Sequence, residues 1–186
     1  MTRVPYASII GSIMYAMIYT RPDLAYVVSI VSKYMADLGK DHWHALKWIM
    51  RYISGSLDMG LMYGNVHESK EAVSGYVDTN FTGCIDSKRS LSSCIFTIYG
   101  GVVSWKACLQ KIVALSTTQV GYISVAEGFK EALWLKGLTD ELGINNLNLT
   151  IYCDSQSAIH LMKNPTFHER SKHIDVKYHF IREVIE

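Results

Sequence analysis

The chain has no surplus of charge of either sign. Its 18 Lys+Arg stand against 17 Asp+Glu, a formal net charge of +1, so a nucleic acid could be held only by local clusters of basic residues. Proline is scarce, at three in 186 residues, and no long polar tract occurs, which excludes a Pro-rich or low-complexity linker. Cysteine is limited to Cys84, Cys94, Cys108 and Cys153, with no CxxC pair. That spacing suits neither a zinc site nor a small disulfide framework, and it predicts buried thiols in a reducing compartment. Long hydrophobic runs are also lacking. The apolar run Tyr6–Tyr19 contains Ser8, Gly11 and Ser12 and is stopped by Arg21, Pro22 and Asp23, short of the roughly 20 residues that cross a bilayer. No basic segment precedes it and no small-residue cleavage pattern follows. With a second apolar run at 24–35, the pattern predicts two adjoining core helices rather than a signal peptide or a membrane span. The expectation is a soluble intracellular protein, cytoplasmic or nuclear, not secreted and without a membrane partner.

What is present is globular: 49% hydrophobic and 19% charged residues. The first 55 residues read as helices. Pro22 at a first helical position, with Asp23 beside the positive end of the dipole, predicts a helix to about Ala36. Asp41 is expected to cap another helix, with Trp43, Leu46, Ile49, Met50 and Ile53 on its apolar side and Gly55 as a left-handed cap. A polar break at 64–71 (GNVHESKE) separates this part from residues 70–186.

There the periodicity changes to two. Residues 72–81 alternate, Cys94, Phe96 and Ile98 alternate again, and Gly100-Gly101 is the expected hairpin turn into 102–107, giving three antiparallel strands. Thr117 or Thr118 is expected to cap a long helix ending at Leu142, with Gly143 beyond it. A strand at 149–154, a helix capped by Ser155 and ended by Pro165, and a last helix with Ile174, Tyr178, Ile181 and Ile185 in one stripe complete the order. The predicted fold class is α/β, a mixed sheet with helices packed on it, preceded by a small α-helical segment.

Three aspartates occupy suggestive places. Asp78 shares a strand face with Ser74 and Tyr76, Asp154 ends a strand just before a helix, and Asp175 falls in the first turn of the final helix. Convergent carboxylates repel one another unless a divalent cation lies between them, and an all-oxygen site with open positions suits Mg²⁺. Two such ions about 3.5–4 Å apart can activate water and steady the leaving oxygen of a phosphodiester. One by one, the same residues read as a turn aspartate, an N-cap and a dipole partner. His168, His173 and His179 lack the i, i+4 spacing of a zinc enzyme and read as surface and capping residues. No GxSxG elbow is present. Lys88, Arg89, Lys106, Lys111, Arg170, Lys172, Lys177 and Arg182 form local basic clusters, with Trp105 and Tyr178 among them, suited to the phosphates of a bound duplex or simply to a solvated surface.

The stretches VPYASIIGSIMYAMIYTRPDLAY, HWHALKWIMRYISGSLDMGLMY, GGVVSW, ALSTT, KEALWLKGL and YCDSQSAIHLMKNPTFHERSKHIDVKYHFIREVIE resemble the Pol polyprotein of plant copia-type LTR retrotransposons over essentially the whole chain. The resemblance implies that residues 1–64 are the helical C-terminal end of a reverse transcriptase, without its YxDD catalytic strand and hence unable to make DNA. Residues 70–186 would be an RNase H-like domain, of the type that hydrolyses RNA in RNA–DNA hybrids with two Mg²⁺ ions, or Mn²⁺. Its partners would be the hybrid and the rest of the reverse transcriptase. It assigns Asp78, Asp154 and Asp175 as metal-binding catalytic residues and Lys88, Arg89, Lys106, Lys111, Arg170 and Lys172 as nucleic-acid contacts.

The chain departs from that pattern at one decisive place. Where the family reads S-T-E-A-E-Y at the start of the long helix, this chain has Thr117-Thr118-Gln119-Val120-Gly121-Tyr122, so Gly121 replaces the metal-binding Glu and Gln119 the earlier one. Asn80 and Cys84 also stand where acids are common. Glu127 is about 240° further around the helix, and Glu131 about 15 Å along it, so neither can substitute. Loss of a directly bound carboxylate should exceed the typical 10–100-fold cost of losing an outer partner. The expectation is an RNase H-type domain that is inactive or weak; the alternative is a non-cleaving remnant that at most binds nucleic acid.

Overall fold

The computed structural model describes residues 5–63, 73–84, 87–144 and 148–163. The polar break at 64–71, Arg170, Lys172, Asp175, the three clustered histidines and the stripe of the final helix lie outside the described residues. The chain divides into two compact units, Met1–Met62 and Tyr63–Glu186.

In the first unit, α1 (Tyr6–Tyr19) buries Tyr6, Ile10 and Ile13, spaced i, i+4, i+7 as one helical face requires. Tyr6 carries its hydroxyl into the core because it donates to the Val31 carbonyl at 3.0 Å. The helix expected from Pro22 is instead three pieces: a 3₁₀ turn at Pro22–Leu24, α2 (Ala25–Val31) and a second 3₁₀ turn at Ser32–Tyr34. β-branched Val27, Val28, Ile30 and Val31 lower helix propensity here, and packing of Leu24, Val28 and Val31 holds the segment. α3 (Lys40–Ser54) begins one residue before the expected cap. Its N-cap is Gly39, whose N–H donates to His42 Nδ1 at 3.0 Å, leaving Asp41 in the first turn beside the dipole. Leu46 and Ile49 are buried but Met50 is exposed, and Gly55 keeps right-handed angles. A terminal glycine permits a left-handed cap without enforcing one.

The second unit is a four-stranded mixed sheet in the order β3-β2-β1-β4. β1 (Val73–Asn80) pairs antiparallel with β2 (Leu91–Ile98) and parallel with β4 (Leu149–Cys153), and β3 (Gly101–Leu109) closes the meander. α4 (Thr117–Glu141) is the crossover between β3 and β4, and α5 (Gln156–Lys163) follows β4. This is the α/β mixed sheet of RNase H-like order that the sequence predicts. The hairpin turn is shifted by one residue. Ile98 pairs Gly101, so Tyr99 (φ 47°) and Gly100 (φ 81°) make the turn, a type that needs positive φ at both central positions. Val73, Val77 and Phe96 face α4 and pack with Val125, Ala132 and Leu135. The opposite face exposes Tyr76, Ile95 and Tyr152.

α4 is capped not by Thr117 or Thr118 but by Ser116, whose Oγ accepts from the Gln119 N–H at 3.2 Å, while Gln119 Oε1 accepts from the Leu115 N–H at 2.8 Å. Gly143 follows its end with φ +77°. Ser155 stands before α5 as expected, its Oγ accepting from the Ala158 N–H at 3.3 Å. Among the described residues no helix is long and apolar enough to cross a membrane, and none of the four cysteines is in a disulfide.

Candidate functional site

Parallel pairing of β1 with β4 sets the geometry. The register runs from Val73↔Leu149 to Val77↔Cys153, so Asp78 and Asp154, each the next residue, emerge side by side about one strand spacing (~4.8 Å) apart at the backbone. Both are exposed. Two residues earlier, Tyr76 and Tyr152 stack across the same two strands with ring centroids 5.1 Å apart and planes 14° from parallel. Asp78 Oδ1 accepts from the Thr79 N–H at 2.7 Å. Burial pushes the Cys153 thiol pKa up, against a backbone hydrogen bond from Ser155, and the Asp154 and Asp78 charges add to the rise.

The corner at Gly121 is not open. A Cβ built there would lie 2.8 Å from Ser155 Oγ and 3.0 Å from both Ser155 Cβ and Ala158 Cβ. The start of α5 therefore rests directly on the α4 backbone at the position where the resemblance expects a glutamate. Gln119, its neighbour two residues earlier, is buried and committed to the helix cap.

Glu127 and Glu131 of α4 are engaged elsewhere. Glu131 accepts from Ser104 Oγ at 2.6 Å, and Glu127 pairs with Lys130 at 3.3 Å. Glu127 and Glu131 line a cleft of about 110 Å³ between β2, β3 and α4, and Lys106 and Lys111 line the same cleft. Lys106 pairs with Cys94, whose side chain is buried toward α4, whereas Asp78 alternates to the opposite side with Tyr76. Lys88 and Arg89 are exposed in the β1–β2 connection, Lys88 with φ 54°. Asn80 ends β1 opposite Leu91, and Cys84 donates its backbone N–H to the Arg89 carbonyl.

A divalent-ion centre can be tested against these placements. Asp78 and Asp154 are adjacent, but among the described residues no three Asp, Glu, His or Cys side chains gather, and the third corner is filled by Ser155 and Ala158. Asp78 and Asp154 supply two carboxylates, and Asp175, the third ligand that the resemblance assigns, lies outside the described residues.

Two polar arrangements escape sequence reading. Under α4, Ser124 donates to Ser92, and Gln110 Nε2 donates to Ser92 Oγ at 2.8 Å and to the Val120 carbonyl at 3.1 Å. Nothing in the sequence marks this long-range cluster. In the first unit, buried Arg21 holds Asp23 at 2.8 Å and the Ser56 carbonyl and hydroxyl at 2.9 Å each. The Arg-Pro-Asp run signals a helix start but not this role.

Across all 186 residues the chain is 48% identical to the retrovirus-related Pol polyprotein from transposon TNT 1-94 of Nicotiana tabacum. The chain belongs to the copia-type retrotransposon Pol family. It is also 39% identical over 184 residues to the Pol polyprotein from transposon RE2 of Arabidopsis thaliana. The chain spans 14% and 12% of the lengths of these two Pol polyproteins. A shorter relative, secreted RxLR effector protein 161 of Plasmopara viticola, is 41% identical over 135 residues, which are 73% of this chain and 94% of that protein. No family model matches the chain, and no solved structure matches it.

Proposed function

We propose that the sheet unit of this Pol-family chain is an RNase H-like domain whose hydrolytic site is incomplete, and that residues 1–64 are the helical end of a reverse transcriptase. The observation that carries this reading is the side-by-side emergence of Asp78 and Asp154 from adjacent parallel strands, with glycine in place of the nearby helix glutamate. A complete domain of this type would take an RNA–DNA hybrid as substrate and Mg²⁺ or Mn²⁺ as cofactor, with Asp175 as a further ligand. Here, with glycine at the helix position, the site offers one anionic oxygen ligand fewer and holds a divalent cation less tightly. The domain keeps the architecture of a hybrid nuclease and lacks its turnover.

The test is cleavage of an RNA–DNA hybrid with a labelled RNA strand, in Mg²⁺ and separately in Mn²⁺, beside an Asp78→Asn variant. The expected result is no difference between the two proteins. Cleavage ten times faster than the variant would refute the reading. Hybrid binding is measured in parallel at low salt. Weak binding that falls steeply with salt supports a non-cleaving binder, and its absence leaves the domain with no role toward nucleic acid.

A further inference from the structure

Gly121 is more than a missing acid. On α4 it is covered by Ser155 and Ala158, whose atoms lie 2.8–3.0 Å from where its Cβ would be, closer than side chains ordinarily approach. α5 has little freedom to retreat. Ala158 is fully buried, Ile159 donates its N–H to the Ser155 carbonyl at 3.0 Å, and Leu161 and Met162 pack on Tyr122 and Ala126 of α4. Elsewhere on the same helix, Gly137 is exposed and a Cβ there would meet nothing within 4 Å.

We infer that α5 has closed onto α4 over Gly121, so that the corner a metal-binding glutamate would use is sterically filled and the acid cannot be restored by one substitution. The consequence for metal binding rests on the reading of the domain as RNase H-like; the packing does not. Ser155 is the residue to relieve. As glycine it loses both of its atoms nearest Gly121, and glycine is tolerated at a helix N-cap at a cost of only a few tenths of a kcal/mol relative to serine.

The experiment uses the full chain and follows thermal unfolding of the sheet unit together with hydrogen exchange of the α5 amides. Gly137→Ala should raise the midpoint by about 3 °C, the gain expected from helix propensity alone. Gly121→Ala, with the same propensity gain, should instead lower it by about 3 °C or more and speed exchange in α5. In a Ser155→Gly background the Gly121→Ala penalty should shrink, with Ala158 Cβ still 3.0 Å from the new Cβ. A Gly121→Ala midpoint that rises like that of Gly137→Ala, or a penalty that Ser155→Gly leaves untouched, overturns the inference.

Calorimetric titration with Mg²⁺ supplies the second readout. Gly121→Glu alone should bind no better than the parent, and Gly121→Glu with Ser155→Gly should bind at least tenfold more tightly. Tight binding by the single variant at parental stability overturns the inference. A folded double variant that still fails to bind, alongside the expected unfolding pattern, supports the closed corner and overturns the assignment of Asp78 and Asp154 to a metal.

Discussion

In the helical unit a charged group lies inside. The Arg21 guanidinium is buried, and its donors reach Asp23 and Ser56 while Tyr52 donates its hydroxyl to the same Asp23 carboxylate at 2.9 Å. In the sheet unit the described buried polar groups under α4 are neutral, Ser92, Ser124 and Gln110, and the two carboxylates of the candidate site, Asp78 and Asp154, stand in solvent. Charge in the first unit is part of the packing and cannot be removed without loss. Charge in the second is set on the rim of a sheet held by apolar contacts, so an acid there can disappear while the fold persists. Gly121, by contrast, is buried on α4 under Ser155 and Ala158.

The contrast is broken most directly at Arg21. Arg21→Ala should cost about 1.5–3 kcal/mol, the scale for hydrogen bonds to a charged group, because the Asp23 left behind is 30% exposed; the loss is read as a lowered denaturant midpoint with faster exchange in α1–α3. Asp78→Asn, by comparison, should change stability by less than about 0.5 kcal/mol, since it removes an exposed charge. Equal effects would erase the distinction between packed and displayed charge.

Acid and alkali separate the units next. Hydrogen bonds from Arg21 hold the Asp23 carboxyl below its ordinary value of 3.8. A depressed carboxylate contributes stability above its unfolded pKa and loses it as pH falls through the folded one, so the helical unit should weaken below about pH 4. Burial, reinforced by the Glu131 charge, pushes the Cys94 thiol from 9.0 to about 11. The folded state keeps that proton where the unfolded chain has released it, so the sheet unit should lose roughly 2 kcal/mol between pH 9 and 11. Unfolding midpoints against pH check both arms, and Cys94→Ala should shrink the alkaline one without touching the acid one, Cys153, whose pKa burial also raises, keeping part of it.

Much of this was legible in the sequence because period and punctuation follow from backbone geometry. The change from a 3.6 to a 2.0 repeat after the 64–71 break, Ser155 before α5 and Gly143 after α4 are local signals, and each element stands where they put it. What was not legible depends on contacts between distant residues. Gly121 could be read as an absent acid, but the approach of Ser155, 34 positions away, belongs to tertiary packing. Arg21 could be read as part of a helix start, but its hold on Ser56, 35 positions away, is likewise a tertiary contact. A third miss was local. Ser116-Thr117-Thr118-Gln119 has the spacing of a capping box, with Gln119 reaching the Leu115 N–H rather than that of the cap. Gln119→Ala should therefore cost about 1 kcal/mol and fray the first turn of α4, measured by exchange of the 117–120 amides. An unchanged first turn would return Gln119 to the status of a vestigial acid position.

The smallest expected effect lies closest to the candidate site. Tyr76 and Tyr152 stack on the solvent side of β1 and β4, two residues before Asp78 and Asp154. Buried aromatic pairs contribute about 0.5–1.5 kcal/mol beyond area burial. These rings are 52% and 43% exposed, which places their coupling near the low end, about 0.5 kcal/mol. A double-mutant cycle with Tyr76→Ala and Tyr152→Ala isolates it, because the two side chains touch across one register pair and each single variant removes the same contact. Coupling of that size would make the stack a clamp that keeps the carboxylates adjacent even though the adjacent corner is closed. Zero coupling would leave β1–β4 backbone pairing alone to hold them there.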